Sequence, residues 1–141
     1  MNDRALNPEE EQALLGALGG LNDYEVSIVA DYGHGLLGPS AVERVCDASR
    51  FLAVNTQSNA GNRGFNTISK YRRADYVCLA THEIAIETRL RDAPTTVLLH
   101  EVSQRIDCER FTVTAGKEGS LHYSRGGSFV EVPSVATQVV D

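Results

Sequence analysis

Glu25-Val26-Ser27-Ile28-Val29-Ala30-Asp31-Tyr32-Gly33-His34-Gly35 is the stretch on which the architecture turns. A β-branched run, 25–30, passes directly into an acid and two glycines, the composition of a buried strand ending in a turn that needs glycine's backbone freedom. Pro39 and Ser40 then open a helix that carries Val45 and Ala48. Strand, loop and helix follow one another within about 25 residues, and the texture then repeats. Residues 51–54 predict a second strand, 55–64 an Asn- and Gly-rich loop, 76–79 a third strand, 81–91 and 94–106 helices, and 110–114 a fourth strand. Parallel strands need crossover helices, so this alternation predicts an α/β fold, a Rossmann-like three-layer sandwich with a mostly parallel sheet.

The two ends differ from this pattern. Asn7-Pro8-Glu9-Glu10-Glu11 reads as a helix start, with Asn7 as N-cap and acids in the first turn. Ala13, Leu14, Ala17, Leu18 and Leu21 follow at helical spacing, and Gly19-Gly20 ends the helix. After Gly116, the runs 120–124 and 128–132 flank Arg125-Gly126-Gly127 and predict a C-terminal β-hairpin.

Length and charge narrow the function. The 141 residues suit one domain, 1–141, built on one core. A formal net charge of −6, with 13 scattered basic residues, offers no surface for a nucleic-acid backbone. No apolar run reaches bilayer length and the N-terminal stretch is acidic, so the reading is a cytoplasmic protein with no membrane partner. Cys46, Cys78 and Cys108 are widely spaced within apolar or helical stretches, which predicts buried free thiols rather than a metal site.

In an open parallel sheet, ligands bind beyond the carboxyl ends of the strands. Three loops there carry chemistry. Asp31 and His34, with Gly33 and Gly35, offer an acid, a titratable ring and glycines that let backbone approach an anion; a tight strand-to-helix turn explains them equally well. The loop from Asn55 through Gln57 to Gly64 is dense in amides and hydroxyls suited to a polyhydroxy or phosphate ligand, or is simply a polar loop. Thr114-Ala115-Gly116-Lys117-Glu118-Gly119 brings a threonine and two glycines to a strand end, where backbone amides can face an anion or merely form a hairpin turn.

Taken in order, these loops resemble the ribokinase-like (PfkB) carbohydrate kinases, most of all the kinase domain of bifunctional heptose-phosphate kinase/adenylyltransferases (ADP-heptose synthases). The resemblance covers residues 24–141. Ala30-Asp31-Tyr32-Gly33-His34-Gly35 is similar to a Ser-Asp-Tyr-x-Lys-Gly segment, with Ala30 and His34 in place of Ser and Lys. Asn55 stands where an Asp is usual, and Lys70-Tyr71-Arg72-Arg73-Ala74-Asp75 resembles the segment before the next strand. Ala80-Thr81-His82-Glu83 matches an Asn-x-x-Glu motif with the Glu kept and the Asn lost, and Thr114 to Gly119 matches a nucleotide-binding Thr-x-Gly-x-x-Gly segment.

The resemblance implies ATP and Mg2+ as cofactors and phosphoryl transfer to a sugar or sugar phosphate of heptose-phosphate type. It implies that Thr114, Gly116 and Gly119 contact nucleotide, that Glu83 holds magnesium through water, and that Asp31, His34, Asn55 and Gln57 face phosphate or substrate. The residues up to Asp141 lead toward the family's Gly-Ala-Gly-Asp motif, which carries the catalytic base and is not in this sequence, so a partial domain without activity of its own is expected. Two other readings follow from the residues: a non-catalytic nucleotide-binding or assembly module that forms a homodimer through an exposed sheet edge, and a hydrolase with Asp31 as nucleophile.

Overall fold

Six strands form one sheet in the order β1-β2-β3-β4-β5-β6 in a computed structural model that describes residues 6–58, 61 and 64–135. The strands are β1 Ser27–Asp31, β2 Leu52–Thr56, β3 Tyr76–Ala80, β4 Arg110–Thr114, β5 Ser120–Ser124 and β6 Phe129–Val132. The first four run parallel, and β5 and β6 are added antiparallel as the expected hairpin. Each β-branched run identified in the sequence thus forms a strand, and the fold is α/β with a mostly parallel sheet.

The helices are α1 Pro8–Leu18, α2 Pro39–Ala48, α3 Thr81–Thr88 and α4 Thr95–Ser103. Every parallel step adds its strand on the same side, so right-handed crossovers bring α2, α3 and α4 to one face of the sheet. Leu52, Val54, Val77, Leu79, Phe111 and Val113 point into that face and form one core with Val42, Val45, Ile84, Leu98, Leu99 and Val102. The described residues thus supply the sheet and one helical layer. On the opposite face the alternation brings out Ala53, Asn55, Tyr76, Cys78 and His122, all half-buried. There Tyr76 Oη donates to Thr112 Oγ1 at 2.7 Å, Thr112 meets His122 Nδ1 at 2.8 Å, and His122 Nε2 meets Ser120 Oγ at 3.0 Å.

Three arginines orient the helical layer. Arg73 donates to the carbonyls of Cys46, at 2.8 Å, and Ser49 at the end of α2. Arg105 donates to Glu87 O at 2.6 Å at the end of α3, and Arg125 to Ser103 O and Ile106 O at 2.5 and 2.6 Å at the end of α4. Helix C-termini expose unpaired carbonyls with partial negative charge, which guanidinium groups satisfy. The opposite end of the layer, where helices begin and parallel strands finish, is left for the candidate site.

Several boundaries differ from the sequence expectation for local reasons. α3 stops at Thr88, because Arg89 takes a left-handed conformation at φ 61°, and α4 stops at Ser103 rather than at 106. β1 runs to Asp31 and β2 to Thr56, because these two residues pair in the ladder; Asn55 therefore lies on a strand instead of in the loop. Asn7 caps α1 as expected, accepting Glu10 N–H at 2.9 Å while the Glu10 carboxylate accepts Asn7 N–H at 2.9 Å. Cys46 and Cys108 are buried free thiols, and Cys78 is a half-buried one. The approach to Asp141, 136–141, lies outside the described residues.

Candidate nucleotide and phosphate site

Asp31 ends β1 with only 4% of its surface exposed. Its Oδ1 accepts Gly33 N–H at 3.0 Å; its Oδ2 accepts the Tyr71 hydroxyl at 2.7 Å and lies 2.5 Å from Lys70 Nζ. Burial by itself would raise the Asp31 carboxyl, but donation from Lys70, Tyr71 and Gly33 outweighs it and holds the group below the ordinary carboxylate range. The Tyr71 phenol is pushed up, first by burial and then by donating to Asp31. A carboxylate this fully engaged is a structural tie, poorly suited to attack as a nucleophile. His34 is half-buried, with its ring stacked on Tyr32 at a centroid distance of 6.3 Å.

A network of amides joins β1 to β2 and β3. Gln57 N–H donates to Asp31 O at 2.7 Å, and Asn66 Nδ2 bridges Asp31 O at 2.8 Å and Gln57 O at 3.2 Å. Gln57 Nε2 donates to Asn55 Oδ1, and Asn55 Nδ2 donates to Cys78 O at 2.7 Å. Lys70 Nζ closes the circuit on Asn66 Oδ1 at 2.7 Å. Glu83, in the first turn of α3, accepts Ala80 N–H at 2.7 Å and Ser58 N–H at 3.1 Å on its two oxygens. Thr81 Oγ1 then reaches Thr114 O on β4 at 3.1 Å.

Asp31, Asn55 with Gln57, Glu83 and Thr114 therefore stand in strand order along one edge of the sheet. With neighbouring strands about 4.8 Å apart, that row spans about 14 Å from β1 to β4. This is the length of a nucleotide polyphosphate end to end with a small substrate.

Beyond Thr114 the chain makes one 3₁₀ turn, Gly116–Glu118, between two glycines in left-handed backbone conformations, φ 55° at Gly116 and 96° at Gly119. The glycines have different reasons to be there. A Cβ at Gly116 would meet nothing within 4 Å, whereas one at Gly119 would lie 2.1 Å from Val132 O. Gly119 thus allows the chain leaving β6 to pass close by, a packing role that the spacing of the motif did not reveal. Beside this turn is a cleft of about 630 Å³, within the range of small-molecule sites, lined by Thr95, Thr96, Ala115, Glu118, Ser120, Glu131 and Pro133. Two carboxylates, Glu118 and Glu131, stand in its wall.

The structure thus brings most of the predicted residues to one edge. Asn66, Lys70 and Tyr71 join Asp31, and Ser58, part of the polar loop from Asn55 to Gly64, joins Glu83; sequence reasoning did not assign the first three to the site. The one available signal was the position of Lys70-Tyr71 just before β3. Among the described residues, no three His, Cys, Asp or Glu side chains converge as a metal centre.

No protein-family model and no curated protein matches the chain. Solved structures do. An Arabidopsis thaliana ribokinase, solved with ribose and ATP, superposes with a TM-score of 0.65 at 14% identity over 89% of this chain and 40% of its own. A phosphofructokinase-2 variant from Escherichia coli gives 0.74 at 12% identity over 95% and 44%. A Burkholderia thailandensis nucleoside kinase, solved with inosine, gives 0.61 at 19% identity over 94% and 42%. The fold is ribokinase-like. The chain spans less than half the length of each of these kinases, so what is shared is part of the ribokinase-like fold. Among the described residues, no helix is long and apolar enough to cross a membrane.

Proposed function

We propose that this chain is the nucleotide-binding part of an ATP-dependent kinase acting on a sugar or sugar phosphate, of heptose-phosphate type. The observation that carries the reading is the row of polar groups at the strand ends, which finishes at the glycine turn after Thr114 beside the 630 Å³ cleft. The ribokinase-like fold of the sugar and nucleoside kinases supports it.

In this reading Thr114 and Gly116 contact the nucleotide, Gly119 shapes the turn, and Asp31, His34, Asn55 and Gln57 hold the phosphate end and substrate. Glu83 fits magnesium through an intervening water, since both its oxygens already accept backbone N–H groups but retain lone pairs for water. Magnesium would supply charge neutralisation between phosphate oxygens.

Asp31 at the end of β1 and Glu83 in the first turn of α3 are both occupied by donors. The proposal is therefore nucleotide binding without turnover by residues 1–141 alone, which an ATP titration of the intact chain and its Gly116→Val variant tests.

A second reading, an assembly module, is favoured by one observation. The outer edge of β1 has no strand beside it among the described residues, and Ile28 on that strand is 79% exposed, with Tyr24, Val26, Tyr32 and Leu36 exposed nearby. Light scattering reads this directly: a homodimer indifferent to ATP supports it.

A further inference from the structure

Glu83 is the third residue of α3, and the residue preceding that helix is Ala80, whose methyl side chain has no oxygen to accept a helix N–H. The cap comes instead from Glu83, which turns back to accept Ala80 N–H at 2.7 Å. Its second oxygen spans 25 residues of sequence to accept Ser58 N–H at 3.1 Å. The carboxylate is 6% exposed.

Ser58 follows Gln57, whose own N–H is held by Asp31 O and whose side chain holds Asn55. The chain leaving β2 is consequently fixed at two successive residues, on one side to the end of β1 and on the other to the start of α3. The Glu83 bond ties it to α3 by a charged acceptor, which makes the stronger kind of hydrogen bond.

We infer that Glu83 is a positioning residue, a latch whose carboxylate fixes the Asn55–Ser58 segment against the N-terminus of α3. This role holds whether or not nucleotide binds, so failure of the kinase reading leaves it standing, and its own failure leaves nucleotide binding untouched.

Amide hydrogen exchange of the intact chain, followed by NMR, tests the latch. Gln in place of Glu83 keeps the shape but offers a single acceptor oxygen, which the shorter local bond to Ala80 retains. Glu83→Gln is expected to speed exchange at Ser58 by roughly tenfold or more, as expected for loss of a charge-assisted bond, with Val54, Leu79 and Val113 unchanged. Glu83→Ala is expected to speed exchange at both Ser58 and Ala80; if that variant does not fold, Glu83→Gln alone decides. Unchanged exchange at Ser58 in Glu83→Gln would overturn the inference.

Discussion

The hydroxyl of Tyr71, a residue with no exposed surface, donates to Asp31 Oδ2 at 2.7 Å across 40 residues of sequence. This bond joins the end of β1 to the connection between β2 and β3, and Lys70 reinforces it from the adjacent position. It anchors the edge on which the proposed site stands.

Tyr71→Phe keeps the ring in the core and removes that donor. We expect it to cost roughly 1.5–3 kcal/mol at neutral pH, the worth of a hydrogen bond to a charged, buried acceptor. The pH dependence has a definite sign. Asp31 is held below its ordinary value of 3.8, so its contribution is present above that pH and is lost as pH falls through the lowered value. Tyr71 is held above its ordinary value of 10.0, so its contribution is present below that pH and is lost as pH rises beyond it. Urea unfolding of the wild type and Tyr71→Phe across the acid range is expected to show the variant's acid loss at higher pH. Parallel acid limbs would show that the bond does not set the Asp31 carboxyl.

The two glycines of the turn after β4 separate backbone strain from steric exclusion. Gly116→Ala meets only the left-handed strain, about 1–2 kcal/mol. Gly119→Ala adds a Cβ 2.1 Å from a backbone oxygen of the Val132–Ser134 segment, and about 3 kcal/mol or more is expected. Equilibrium unfolding of the pair checks the order, and equal losses would contradict the close passage of the chain leaving β6.

Much of this architecture was legible because it depends on local chemistry. Asn7 with Glu10 marks the first helix, the β-branched runs mark the strands, and Arg125-Gly126-Gly127 marks the hairpin. Each depends on residues within a few positions of one another. The site was legible only to the extent that strand ends are. Asp31, Asn55 and Thr114 stand out because each follows or closes an apolar run, whereas Glu83 is pointed to only by the resemblance of Ala80-Thr81-His82-Glu83 to an Asn-x-x-Glu motif. Tyr71 and Asn66 do not stand out, because what gives them a role is a partner 40 or 35 residues away, brought close by the parallel crossovers. The early stop of α3 was illegible for a related reason: Arg89 is an ordinary helix former, and only its left-handed backbone in the folded chain ends the helix.

The thiols report on the core. Burial pushes Cys108 up to about 11 and raises Cys78 as well, so both are largely protonated and poorly nucleophilic at neutral pH. A disulfide reagent such as Ellman's is expected to label the native chain slowly, with half-buried Cys78 first, and all three cysteines at once in denaturant. Rapid labelling of Cys46 or Cys108 in the native chain would contradict the packing of α2 and β4.

Nucleotide binding is the most direct test of the central claim. Calorimetric titration of the intact chain with ATP and magnesium is predicted to give saturable binding that Gly116→Val weakens by about tenfold or more while circular dichroism stays unchanged, as expected when a turn that presents its backbone to phosphate is strained by a β-branched residue. Absence of binding by the wild-type chain at millimolar ATP, or binding that Gly116→Val leaves intact, would contradict the account.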